Sequence, residues 1–463
     1  MNEPPPQSER QNNEPRKLHT ESVSSGAAAL SSLGILATKL AAKPFNVVVS
    51  IIVANHLGPD DKGIAAWIVV LVSIAAYFFG FGCGSAIRFL LAGRSETLRE
   101  LAWTSIAMGL LNGLIGSISL ATMAHYDLMG PLSRELSPEL RYTIIVCLPF
   151  LVIETILNRA LIGESRYKFT NLVEFGSSFL YSLLLIFLVL VLHWELYGAN
   201  LALFLTRGIS VFATVFYVFR VYSPVFRIDW EVCYRSYNYG FRVWIGGMTV
   251  FMNMYLDSLI VGWKLPAAAM GNYSVAATIA RSLTMLPQAI NVVLTNRLIG
   301  LERRQAIEEA AMLHRSTFWL VIASALLLAI AGYVLLPLVM PTFRETPVVF
   351  LILLLGTICS ASTTILNSYF ASQGMPGRSS IAQLVGFVVG GALTPLFIGQ
   401  WSGVGGAIGS SLTYLTVAGL MWYFFLRQDS RVALSVFAFR IADWNWMLGQ
   451  IKAAWVRFRR TPT

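Results

Sequence analysis

Four polar residues of the first apolar stretch, Lys39, Lys43, Asn46 and Ser50, follow the i, i+4, i+7, i+11 spacing of one helical face. Two ammonium groups one turn apart, continued by an amide and a hydroxyl, form a stripe able to hold an anion through charge-assisted hydrogen bonds. The pattern returns later in the chain. Arg242, Thr249, Asn253 and Asp257 share one stripe, and Ser274, Thr278, Arg281, Gln288, Asn291 and Thr295 share another. Three more charges, Glu154, Glu174 and Arg207, are spread over three consecutive apolar segments.

The elements that must position these groups span a membrane. The 463 residues are 56% hydrophobic and 13% charged, with a mean hydropathy of +0.64. A soluble domain carries about 25% charged residues, so this composition excludes a soluble enzyme and a nucleic-acid-binding domain. Twelve apolar segments run roughly over 27–56, 63–90, 101–124, 142–163, 169–193, 196–220, 238–263, 268–297, 316–340, 346–372, 379–399 and 402–426. Each can cross a hydrocarbon core of about 30 Å as a helix. Uninterrupted apolar runs are not the alternating pattern of a β-barrel strand.

The net charge of +10 fits the Lys and Arg excess of cytoplasmic loops. With the N-terminus inside, 24 of the 34 basic residues fall on inner connections and five on outer ones. The other five, Lys39, Lys43, Arg207, Arg242 and Arg281, lie within spans. The expected fold is therefore an all-α polytopic membrane protein of about twelve transmembrane helices, N-in and C-in. The connection 221–237 divides it into two six-helix lobes, 27–220 and 238–426. Residues 1–26 are expected to be disordered and cytoplasmic, without a signal peptide. Residues 427–463 form a basic amphipathic tail, with Trp444, Trp446 and Trp455, expected to lie on anionic membrane lipids. The segment Leu57–Gly63 recurs as Leu265–Gly271, 208 residues later, and a shift of 207 aligns Asn46 with Asn253 and Ser50 with Asp257. With an even number of helices per lobe, such a repeat is parallel.

A charge at bilayer depth costs at least ~2.5 kcal/mol unless it finds a partner or water. One reading is a hydrated cationic cavity. Lys39, Lys43 and Arg281 would bind an anionic substrate there, with Arg88 and Arg242 as further candidates, and Asn46, Ser50, Asn253, Gln288 and Asn291 would line it. The other is structural pairing of Asp257 with Arg281 or Lys43. Arg242, close to an inner helix end, is expected to snorkel. Arg88 follows Gly80-Phe-Gly-Cys-Gly84, which is expected to break the second helix and admit water. Glu154, Glu174 and Arg207 are expected to include a buried pair, with Asp257 and Glu174 as candidates for proton or sodium coupling. Asp60-Asp61 fits a solvated turn better than an acidic catalytic motif of a glycosyltransferase. Pro44, Gly82 and Pro287 are candidate hinges. The four cysteines and five histidines form no metal or disulfide framework, and no cofactor is expected.

Three motifs carry a resemblance. The stretch from Asn46 to Gly63 contains Leu57-Gly-Pro-Asp-Asp-Lys-Gly63, the glycine-rich second helix ends Gly84-Ser-Ala-Ile-Arg88, and Leu286–Leu298 reads LPQAINVVLTNRL. Over residues 27–426 the chain resembles the Wzx-type polysaccharide flippases of the multidrug/oligosaccharidyl-lipid/polysaccharide (MOP) exporter superfamily. Asn296 departs from the third motif, where the family usually has Pro. The resemblance implies a V-shaped, two-lobed bundle in the bacterial inner membrane. It implies alternating access for a polyprenyl-pyrophosphate-linked oligosaccharide, in company with a polysaccharide polymerase or export machinery. Cationic residues in helices 1, 2 and 8 of peptidoglycan-precursor relatives correspond by location to Lys39/Lys43, Arg88 and Arg281. The competing readings are a MATE-like drug or cation antiporter, which would prefer an acidic cavity, and a membrane glycan polymerase or glycosyltransferase, which would need a larger outer loop.

Overall fold

The computed structural model describes residues 25–93, 96–285, 287–288, 298, 301–429, 435–443 and 449, with side chains from Phe45 onward. All regular structure among these residues is helical. The elements are α1 (Ser25–Phe79), α2 (Cys83–Ala92), α3 (Leu98–His125), α4 (Pro131–Arg134), α5 (Pro138–Gly163) and α6 (Tyr167–Leu185, continued as a π-helix over Ile186–Val191). They continue as α7 (Glu195–Tyr222), α8 (Trp230–Lys264), α9 (Ala267–Arg281), α10 (Arg303–Val339), α11 (Thr346–Ser372) and α12 (Pro376–Leu426). Nine helices among the described residues are long and apolar enough to cross a membrane.

Two of the nine are broken in the middle. With 55 and 51 residues, α1 and α12 would each be about 80 Å long at 1.5 Å per residue, far beyond one bilayer. Gly58 (φ 76°) divides α1, and Trp401 and Ser402 (φ 53°) divide α12. Both breaks fall where the sequence places loops. A third break separates α1 from α2, where Phe81 and Gly82 take φ of 43° and 69°. Gly82 is obligatory for a second reason: a Cβ there would overlap the carbonyl of Gly240 in α8.

Two boundaries differ from expectation. The connection after α7 covers only 223–229, because Asp229 caps α8 by accepting from the Glu231 and Val232 amides, while its own amide donates to Thr104 (3.1 Å). Residues 230–237 are thus helical. Part of the tail expected on lipid is instead packed on protein. Val436 is fully buried, Asp443 receives a bond from Arg315 of α10 (2.8 Å), and Trp319 donates to the Phe437 carbonyl (3.1 Å). A row of apolar and polar residues on α10 and α12 awaits this segment, so it docks as a strap. The remaining basic and tryptophan residues of the tail, from Trp444 to Arg460, lie outside the described residues.

Helices α1 to α7 pack mainly among themselves, and so do α9 to α12 with the second half of α8. The two groups meet chiefly where α1 and α2 lie against α8 and α9. At the Gly58 end this seam is tight. A Cβ at Gly63 would overlap the Ala267 carbonyl, one at Gly271 would overlap the Pro59 carbonyl, and Trp67 fills the space beside Gly262. Asn55 also donates to the Val339 carbonyl at the end of α10 (2.8 Å). At the opposite end the seam is held by Gly82 on Gly240, by Phe89 stacked on Tyr239 (4.8 Å), and by Arg235 near Glu96 (3.8 Å).

Candidate functional site

Asp257 and Arg281 face each other across α8 and α9, which reverse direction at Leu265-Pro266. The Arg281 Nη2 donates to both carboxylate oxygens of Asp257 at 2.9 Å and lies 3.3 Å from the Ser258 hydroxyl. The carboxylate also accepts from the Tyr273 hydroxyl (2.8 Å), the Ser410 hydroxyl (3.0 Å) and the Ser258 amide (2.6 Å). A carboxylate offers about four lone-pair sites, so Asp257 is saturated. Its side chain is 4% exposed, whereas that of Arg281 is 34% exposed. The cluster therefore presents an oriented guanidinium whose charge is already balanced. Tyr273, Ser258 and Ser410 went unnoticed in the sequence, where hydroxyls in small-residue helices carry no distinguishing signal.

The expected cationic cavity is thus not assembled as a set of bare charges. Lys39 and Lys43 are in the helical part of α1 for which only the backbone is described, and so is Pro44; their side chains, and Asn291, lie outside the described residues. Arg88 is exposed on α2, and Arg242 is exposed on α8. Gln288 is exposed, and Pro287 is buried a few residues after the 3-10 turn Ser282–Thr284 that ends α9. Gly82 sits at the break already described.

The polar stripes turn inward to neighbouring helices instead of lining one space. Asn46 donates to Ser178 and accepts from Ser182 (2.7 Å), tying α1 to α6. Asn253 donates to the Gln383 carbonyl and side chain (2.9 and 2.8 Å), tying α8 to α12. Ser50 accepts from Lys62 (3.3 Å), a cation that the Gly58 break folds back along α1. The expected pairing of Glu154 or Glu174 with Arg207 is not a direct contact: buried Glu154 accepts from Ser210, and exposed Arg207 has no carboxylate within 4 Å among the described residues, although it lies within electrostatic reach of Glu154. Glu174 is exposed on α6. Coupling through Asp257 would first have to displace its several donors. One cation missed in the sequence is Arg159 of α5, exposed beside Gly84 and within electrostatic reach of Tyr77 on α1.

The same fold occurs in known transporters. The lipid II flippase MurJ in an inward closed conformation superposes with a TM-score of 0.68 at 10% identity, over 92% of this chain and 96% of that one. A eukaryotic MATE transporter gives 0.62 at 17% identity, over 89% and 99%. A MOP superfamily transporter from Pyrococcus furiosus, described as having a binding pocket of reversed polarity, gives 0.56 at 14% identity, over 88% and 96%. At these identities the likeness is one of fold. No curated protein matches the sequence. The profile of the family described as "Polysaccharide biosynthesis protein" matches residues 30–298. With its helical fold shared by MOP superfamily transporters, this multi-pass membrane protein belongs to the polysaccharide biosynthesis protein family.

Proposed function

We propose that the chain is a flippase, a transporter and not an enzyme, that moves a polyprenyl-pyrophosphate-linked oligosaccharide from the inner to the outer leaflet of the bacterial cytoplasmic membrane. The glycan would serve exopolysaccharide, capsule or O-antigen synthesis. Family membership carries this reading, since a polysaccharide assembled on a lipid must cross the bilayer and the MOP fold is a transporter fold.

The geometry supports alternating access between two six-helix lobes. Counting each limb of α1 and α12 separately brings the nine spans to eleven, and the 15-residue α9 would be a twelfth crossing. The pairs Asn46–α6 and Asn253–α12 correspond under the same 207-residue shift that relates the two halves. In the N-in, C-in orientation the Gly58 end is external. The tight glycine contacts there then close the outer side, an inward-directed state. The pyrophosphate would be met by Lys39 and Lys43, by the exposed part of the Arg281 side chain and by Arg159, while the glycan occupies the space between the lobes.

The test is translocation in proteoliposomes. A polyprenyl-pyrophosphate oligosaccharide is supplied inside, and its appearance outside is scored by lectin accessibility. Wild type should translocate, with large losses in Lys43→Ala and Arg159→Gln. No translocation combined with efflux of organic cations from the same vesicles would overturn the reading in favour of a MATE-like antiporter.

A further inference from the structure

A cavity of about 650 Å³ lies between α3 and α8, outside the Asp257 cluster. Its walls are Phe81, Leu111, Ile115 and Phe241, and its polar groups include Asn238 and Arg242. The volume is within the range of roughly 300–1,000 Å³ typical of ligand pockets. Two observations orient it. Leu111, Ile115 and Phe241 are 53%, 42% and 48% exposed on membrane-spanning helices, so the groove opens to the surrounding acyl chains. The helices run side by side in the same sense, since Asp229 bonds Thr104 and Tyr237 bonds Asn112 (2.7 Å). The groove therefore sits in the half of the bilayer next to the N-termini of α3 and α8.

Its charge is unbalanced. Arg242 has no carboxylate within 4 Å among the described residues. It stands twelve residues past Trp230, about 18 Å along the helix. Asn112 and Tyr237, by contrast, satisfy each other at the base of the groove. Arg242 also lies 22 residues, about 33 Å, before Lys264 at the far end of α8, which puts its guanidinium near the edge of a hydrocarbon core of about 30 Å, where it needs an anion or water. Apart from the amides of Asn112 and Asn238 and the hydroxyls of Tyr234 and Tyr237, the remaining lining is apolar, which favours an anion carried on a long hydrocarbon chain. The inner wall is the Gly80–Gly82 break, where Phe81 packs on Trp244 (5.8 Å) and Trp244 on Phe78 (5.2 Å). Those rings stand beside the Gly82–Gly240 contact that joins the two helix groups.

We infer that this groove is a recruitment site for the polyprenyl phosphate carrier of the substrate, with the phosphate on Arg242 and Asn238 and the first prenyl units against Leu111, Ile115, Phe81 and Phe241. The inference rests on the flippase reading and adds the point of entry. The carrier is held at the lipid face before its glycan passes the aromatic rings.

The experiment uses full-length protein in phosphatidylcholine vesicles with a diazirine-bearing polyprenyl pyrophosphate that lacks sugar. Labelled peptides should map to residues 111–115 and 238–242. Arg242→Gln should lower labelling about tenfold, the loss of one charge-assisted contact. Leu111→Trp, which fills the groove, should do the same, and Arg242→Lys should keep most of it; both positions are exposed, so thermal melting should match wild type. Labelling elsewhere, labelling unchanged in both Arg242→Gln and Leu111→Trp, or displacement by phosphatidylglycerol as effective as by unlabelled polyprenyl pyrophosphate would overturn the inference. Translocation is scored in parallel. Groove labelling without translocation counts against the flippase reading alone, and translocation without groove labelling counts against the groove alone.

Discussion

Gly63 and Gly271 are reciprocal: each lies against a backbone carbonyl four residues before the other, Gly63 on Ala267 and Gly271 on Pro59. These are the two copies of the segment that recurs after 208 residues, so the related pieces of the chain pack on one another and the glycines let their backbones touch. Adding a methyl group at either position forces the backbones apart. Gly63→Ala and Gly271→Ala should each weaken closure at the Gly58 end. A cysteine placed at Asn55, in a protein lacking Cys83, Cys147, Cys233 and Cys359, should react several-fold faster with a membrane-impermeant thiol reagent in either variant. Equal reactivity in folded variants would show that this contact does not hold the end shut.

The Asp257–Arg281 pair should behave as a structural unit. Asp257→Ala leaves a guanidinium and several hydroxyls without an acceptor, and breaking a buried pair from one side costs about 3–5 kcal/mol. Arg281→Gln removes the more exposed member and should cost less. The double variant Asp257→Ala/Arg281→Gln should cost less than the two single losses summed, measured as thermal unfolding in detergent. An additive double variant would mean that the two residues stabilise the fold independently.

Asn46→Leu and Asn253→Leu should destabilise to a similar extent. Each removes two hydrogen bonds between neighbouring helices, α1 to α6 in one case and α8 to α12 in the other. Loss of a bond that leaves a buried partner unsatisfied costs roughly 1–3 kcal/mol. A large effect at one position and none at the other would count against equivalent roles for the two asparagines.

The strap over residues 435–443 should come loose when Arg315 is removed. Arg315 and Asp443 have side chains 7% and 11% exposed, and Arg315 also donates to Ser435 (3.2 Å). Arg315→Met should therefore loosen the backbone around Arg440, which is already exposed, with tryptic cleavage after that residue several-fold faster than in wild type. Wild-type resistance in the variant would place the hold on the strap in the rings of Trp319, Trp422 and Phe437.

The spans were legible because twenty-residue apolar runs have few alternatives to a helix in lipid. The breaks at Gly58, at Gly80–Gly82 and near residue 401 were legible from glycine clusters and short polar turns. Side-chain partnership was less so. The spacing of Asn46 and Asn253 on helical stripes suggested a lined cavity, yet both amides turn to neighbouring helices. The rotation of a helix about its own axis depends on close packing at residues such as Gly109 against Ile153, which periodicity does not encode. Arg281 had Asp257 among its candidate partners, but the Tyr273, Ser258 and Ser410 hydroxyls that fix the pair come from three separate parts of the chain.

Pairing also bears on the electrical side of transport. An elementary charge moved through the full membrane potential exchanges about 2.3 kcal/mol per 100 mV. Asp257 and Arg281 sit on adjoining helices of one group and would travel together, with opposite charges cancelling. Their motion contributes no gating charge, so any voltage dependence of the proposed translocation would come from charge carried by the cargo and from cations without such a counterpart.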